Sequence, residues 1–431
     1  MDEVPAFLQD ALRFQDPHGE ALRDVKDSEW NSIFSSWYVV RLVLPLRQVY
    51  GRELPDWVRA KIDTYLADTV LRFERIKQVY SVAARAFKDA NVEHMVIKGF
   101  SLWPGYVDHP RLRPQYDIDL YCPPESIARA REALSALGYW VSPLGGHLQN
   151  DHVAPMTLIT PWQWRGNFFD PDIPISFELH FRWWDSGWMR IHPRGLEEFW
   201  SRRIERQLDD ITFPALHPVD NVGYVALNLL RDFLRGSVTT EQAYGLARFL
   251  QTSADDEAFW RSWPLLHDES LRRLEVISFG LASNWFACRL PEEVQKEMDR
   301  LPVAVQAWFR HFASSSLRRF DPGKDSVWLH LSLLESLADK SSVLFRRLVP
   351  IPSRVPTFAS VVVDETSKDA RSEQQDRSDV LRFCRRSVRY IEWFAFRVVR
   401  HLRALPLTIL RGLGYWLSLS AILEILRPVL C

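Results

Sequence analysis

Between Trp57 and Ala90 the apolar residues Val58, Ile62, Leu66, Val70, Phe73, Ile76 and Val79 recur at intervals of three and four, which predicts one long helix with a single buried face. Residues up to about 90 read as helical throughout. The period then changes. Glu93 to Ile97 is a short apolar run ended by Gly99, the pattern of a buried strand entering a turn, and a short helix is expected from near Phe100. Asp117 to Tyr121 alternates acidic and apolar side chains at period two, as a half-buried strand does. Pro123 and Pro124 stop that strand and open a helix from Glu125 to Leu137, closed by Gly138. Two further strands are expected, Met156 to Thr160 and Ile175 to Trp183, with a loop rich in Trp and Pro between them.

Beyond His217 helix follows helix: Val219 to Leu234, Thr240 to Leu250, Ser270 to Ala287, Glu292 to Ala313 and Val327 to Leu337. No repeat of fixed period is present. The pattern therefore predicts an α+β chain, α/β-like in its middle, with a small mixed sheet and flanking helices. Its expected divisions are a helical region (1–90), a catalytic core (91–215), a helical domain (216–350), a linker (351–379) and a helical tail (380–431). Asp364 to Asp379 has no large apolar side chain and cannot bury enough surface to order itself. In the tail, Arg382, Arg385, Arg386, Arg389, Arg397, Arg400 and Arg403 alternate with aromatic residues, and an apolar helix follows. That arrangement suits either peripheral membrane contact or a helical hairpin docked on the helical domain or on a partner.

Composition narrows the classes. Of 431 residues, 47% are hydrophobic and 25% charged, an ordinary globular balance. Lys and Arg (54) nearly match Asp and Glu (55), so no overall basic field points to nucleic acid. Cys122, Cys288, Cys384 and Cys431 share no short spacing, which argues against a zinc site or a disulfide framework and fits a reducing cytoplasm. The acidic start Met1–Pro5 lacks the features of a signal peptide, so no export is expected. The longest apolar stretch, Gly412 to Leu426, is interrupted by Glu424 and falls short of the ~20 residues that span a bilayer. Most of the 18 tryptophans read as core or cleft walls.

The chemistry gathers in three segments. Side chains two apart on a strand share a face, with Cα atoms about 6.6 Å apart, so Asp117 and Asp119 can converge on one divalent cation or bracket two. Carboxylates suit magnesium, or manganese in its place, because these ions prefer oxygen and share their shell with substrate phosphates. Gly99 permits a tight turn and close backbone approach to a triphosphate, and Lys98 adds a cation beside it. Arg113, four residues before Asp117, can reach the same phosphates, with Arg111 as the competing choice. Glu178, between Phe177 and Leu179, can hold the metal or accept a proton from the acceptor. His180 shares its face, either orienting Glu178, binding phosphate or standing as a hydrogen-bonded core histidine.

The run Ile97-Lys98-Gly99-Phe100-Ser101-Leu102, then Arg113 before Asp117-Ile118-Asp119-Leu120, then Leu137-Gly138-Tyr139 and Glu178-Leu179-His180-Phe181, resembles the uncharacterised nucleotidyltransferase family of the polymerase-beta-like superfamily, over about residues 60 to 250. The resemblance implies a minimal mixed sheet in which Gly99 fills the phosphate-binding turn, Asp117 and Asp119 hold magnesium, and Glu178 is the third acid. Lys98-Gly99 stands where such families carry glycine-serine, Phe100 where serine often follows the glycine, and Tyr116 where a small residue is frequent. The helical part after Asp220 resembles the half that commonly receives the acceptor, though Asn228, Arg231, Asp232 and Arg235 form no decisive pattern.

The leading expectation is a magnesium-dependent transferase that moves a nucleoside monophosphate from a nucleoside triphosphate to a hydroxyl or phosphate acceptor, releasing pyrophosphate. One alternative is a catalytically silent transferase fold that holds a partner or a membrane surface. Another is a sugar-nucleotide glycosyltransferase using Asp-x-Asp, which should show several strand-helix units ahead of the motif where this chain has one helical block and a single strand.

Overall fold

The computed structural model describes residues 3–141, 151–236, 238–313, 317, 324–349, 395 and 398–419; the linker expected at 351–379 and most of the arginine-rich run lie outside them. Seven strands form one mixed sheet: β1 (Met95–Val96), β2 (Asp117–Tyr121), β3 (Tyr139–Val141), β4 (Met156–Leu158), β5 (Ser176–His180), β6 (Ile204–Leu208) and β7 (Ile211–Ala215), in the order β3-β4-β5-β2-β1-β7-β6. β2 runs parallel to β5 and antiparallel to β1, which lies parallel to β7. The remaining neighbours pair antiparallel.

Pleating separates two environments. Val96, Ile118, Leu120, Phe177 and Leu179 point to one face, where they pack with Ile76, Tyr80 and Phe87 of the long helix Asp56–Asp89 and with Ala130 and Leu134 of the helix Ile127–Ala136. Met95, Ile97 and Tyr121 point to the other, joining a core that contains residues of the N-terminal helices and of Pro218–Arg235, Thr240–Ser253 and Glu269–Phe286. Because side chains alternate, the acids of β2 and β5 fall on this second face, against the helices that follow the sheet.

The long helix also pins the site from behind. Buried Arg72 donates to the carbonyls of Gln115, Tyr116 and Ile173, the residues that lead into β2 and β5. One guanidinium thus fixes the start of both strands, and its burial lowers its own pKa to about 10.

Several elements depart from the sequence pattern. The helix expected near Phe100 is a single 3-10 turn, Gly99–Leu102. Glu292 to Ala313 divides at Pro302 into Glu292–Asp299 and Val303–Phe312, because proline has no N–H to continue the ladder. The expected Val327 to Leu337 helix ends at Ser332, and Leu337 begins a separate helix to Leu348. The hairpin β6–β7 and the short strand β3 have no counterpart in the sequence pattern.

Candidate active site

The parallel register of β2 on β5 sets Asp117 beside Ser176, Asp119 beside Glu178 and Tyr121 beside His180. Side chains in register on neighbouring strands share a face, so Asp119 and Glu178 stand next to one another by construction. Strand β1 brings Lys98 to the same place: Ile97 N–H donates to the Asp119 carbonyl, and Lys98 Nζ lies 2.7 Å from Asp119 Oδ1. His180 Nε2 is 3.1 Å from the same oxygen and 3.8 Å from Glu178 Oε2. Asp119, Glu178 and His180 each offer a ligand atom, all within 4.8 Å of one another.

Gly99 takes a left-handed φ of +63°, and a β-carbon at this position would collide with the Gln115 carboxamide. That carboxamide donates to the Asp117 carbonyl at 2.7 Å. The glycine turn is therefore packed against the entry of the acidic strand, which is why Lys98 and Asp119 meet. The 3-10 turn after it is too short to supply a helix dipole, so anion attraction here falls to side-chain cations.

The titration behaviour follows from this crowding. Burial, then the negative charges of Asp119 and Glu178, push the Asp117 carboxyl up to about 7. Burial and the Asp119 charge also raise Glu178. Burial would raise Asp119 as well, but the Lys98 ammonium and the His180 hydrogen bond outweigh it and hold that carboxyl well below its usual range. Burial works against the charged form of Lys98, yet Asp119 raises its pKa. Burial and the Lys98 charge lower His180 to about 4, leaving a neutral imidazole that donates from Nε2 to Asp119. Asp119, Glu178 and His180 together offer two carboxylates and one imidazole, a mostly oxygen set that fits a hard divalent cation, and Asp117 is not among the ligand atoms that lie within 4.8 Å of one another.

Lys98, Gly99, Arg113, Asp117 and Asp119 line a cavity of about 490 Å³ between the sheet and the helices on its second face. Glu178 and His180 do not line it; Glu178 keeps 19% of its side chain exposed and reaches solvent beside Asp119. Five cationic side chains edge the cavity, and each is held by an acid: Lys98 by Asp119, Arg113 and Arg41 by Glu241, Arg231 by Asp232 and Arg248 by Asp108. Arg111 sits elsewhere, paired with Glu74 and Asp209 at 3.0 Å each, so of the two candidate arginines only Arg113 faces the cavity.

Other members come from segments with no motif. Arg231 joins Asp151 at 2.9 Å, and Asp151 holds His152 at 2.9 Å. An isolated bridge between His152 and His180 brings that pair to the end of β5, where Asp151, His152 and His180 form a second group able to ligate. Arg41 stacks 3.8 Å from the centroid of Trp37. Arg231 is one of the four polar candidates after Asp220 that form no decisive pattern, whereas Arg41 and the Asp151-His152 doublet carry no period that marks them in the sequence.

A sequence model of the family described as uncharacterised nucleotidyltransferase matches residues 41–287, which takes in the sheet and every residue that lines the cavity except Phe14. No curated protein and no solved structure matches the chain.

Proposed function

Because the chain belongs to the uncharacterised nucleotidyltransferase family, we propose that it transfers a nucleoside monophosphate from a nucleoside triphosphate to a hydroxyl or phosphate acceptor and releases pyrophosphate. The observation that carries this reading is the register pair Asp119 and Glu178, with Lys98 2.7 Å from Asp119, where Asp119, Asp117 and Lys98 line a cavity of about 490 Å³ and Glu178 stands beside it.

Asp117, Asp119 and Glu178 would hold the divalent cation, magnesium before manganese. When bound, the cation supplies charge neutralisation at the phosphate oxygens. Lys98 and Arg113 grip the triphosphate from the cavity wall, and Arg231 and Arg41 add positive charge to the same cavity. An acceptor oxygen forms a bond to the α-phosphorus while the bond from that phosphorus to the bridging oxygen breaks, and pyrophosphate leaves with the electron pair. Where the acceptor is a hydroxyl, the proton passes to the carboxylate oxygen of Glu178 that the cation leaves free. His180 holds Asp119 in place through Nε2. Positioning and charge, rather than covalent chemistry by the protein, account for the acceleration.

One observation favours a second reading, a nucleotide-binding protein without turnover: Asp119 is already satisfied by Lys98 and His180. Incubation with α-labelled and γ-labelled triphosphates in a cell extract separates the two. Transfer of the α label alone to an acceptor, lost in Asp119→Asn, supports the transferase. Binding without any transferred label leaves the silent protein, and preference for a sugar nucleotide contradicts both.

A further inference from the structure

Residues 398–419 are helical, and the two sides of that helix differ. Ala404, Thr408, Gly412, Tyr415 and Leu419, spaced by three and four, face the protein and are buried. Arg411 clasps Asp325 through two bonds of 2.8 and 2.6 Å, Tyr415 donates to the Ala304 carbonyl at 2.7 Å, and a β-carbon at Gly412 would collide with the Trp328 ring. The helix is fixed to the body rather than tethered to it.

Its outer side is as apolar as its inner one. Val399, Leu402, Leu407, Ile409, Leu410, Leu413 and Leu417 are all exposed, Leu410 by 68% and Leu417 by 72%. Isolated exposed leucines are ordinary, but seven aliphatic side chains along one docked helix form a contiguous strip that calls for an occupant. Charge identifies it. The helix carries Arg400 and Arg403 and no acid, besides Arg411, which Asp325 neutralises; in sequence the preceding positions 380–397 add five arginines against one acid, Glu392. Two copies meeting through the strip would bring Arg400 and Arg403 of each together, which repels; an anionic surface is complementary to both the strip and these cations. Among the described residues no helix is long and apolar enough to cross a membrane.

We propose that this helix lies in the surface of an anionic lipid bilayer, its leucine side among the acyl chains and its opposite side bolted to the protein through Arg411, Gly412 and Tyr415. In ordinary interfacial helices a charged face turns to water; here the protein body takes that place. The catalytic sheet is thereby held at a set orientation to the membrane. The proposal is independent of the transfer reaction.

The test is co-sedimentation of the full chain with vesicles of phosphatidylcholine alone and of phosphatidylcholine with phosphatidylglycerol. Binding to the anionic vesicles, weakened by salt and reduced at least about tenfold by Leu410→Glu with Leu413→Glu, supports the proposal. Both leucines lie outside the core, so thermal unfolding of the variant should match that of the parent; the lipid comparison on the parent chain does not depend on any variant. Equal binding to both vesicles, no binding to either, or a parent dimer that the variant converts to monomer overturns it, the last by naming a second copy as the occupant.

Discussion

Lys98 Nζ stands 2.7 Å from Asp119 Oδ1 across two neighbouring strands, and the acid is almost wholly buried while the lysine is partly exposed. The ammonium supplies the positive charge that this carboxylate needs. A divalent cation at the same carboxylate would do the same, so the two should compensate for one another.

Removing the lysine tests that exchange. Lys98→Ala leaves Asp119 with only the His180 bond and should destabilise the protein by about 2 kcal/mol, less than for a fully buried pair because the lysine is partly solvated. Thermal unfolding in chelator and in magnesium checks it: the gap to the parent should narrow with the ion. A gap of equal size in both conditions would count against a shared charge site.

Gly99→Ala should act on the strand as well as the turn. The left-handed conformation costs a non-glycine residue roughly 1–2 kcal/mol, and the added carbon must displace the Gln115 carboxamide from the Asp117 carbonyl. We expect lower stability by about that amount together with weaker triphosphate binding, measured by denaturant titration and calorimetry. Loss of stability with unchanged binding would show that Gly99 serves the backbone alone.

The pH dependence of stability should carry a basic limb that has nothing to do with the site. His267 is fully buried between Asp220, 3.1 Å from Nε2, and Glu275, 2.7 Å from Nδ1. Burial opposes its charged form, but Glu275 and Asp220 outweigh burial and raise its pKa to about 9. A histidine raised on folding contributes stability that is fully present below its unfolded pKa and lost as pH climbs through the folded value, here a window from about 6.5 to about 9. Urea unfolding across that window should show the parent losing on the order of 3 kcal/mol and His267→Gln, less stable at the outset, losing much less. Parallel curves for the two proteins would contradict this assignment.

How far these features are legible in the sequence depends on whether they are local. Asp117 to Tyr121 reads as a strand because acid and apolar residues alternate and Pro123 ends it, and the structure gives β2 those bounds. The helix Asp56–Asp89 is legible for the same reason at a different period. The β6–β7 hairpin is not: Glu205, Arg206 and Gln207 carry no apolar alternation, Pro214 stands inside β7, and the turn is an Asp209-Asp210 pair whose first residue adopts a φ of +50°. In the site, the acids of β2 and β5 announce themselves by position on strands. Arg41, Asp151, His152 and Arg231 reach it only because helices and loops remote in the chain pack over one face of the sheet, and no spacing encodes that.

A cation and a triphosphate are proposed to meet where Lys98, Asp117 and Asp119 line the cavity and Glu178 stands beside Asp119 just outside it. Calorimetric titration of a nucleoside triphosphate into the full chain, with magnesium and with chelator, and into the variant carrying Asp117→Asn with Asp119→Asn, tests it most directly. Binding should be saturable with magnesium and at least about a hundredfold weaker both without the ion and in the variant. Binding of equal strength with and without magnesium, or unchanged in the variant, would contradict it.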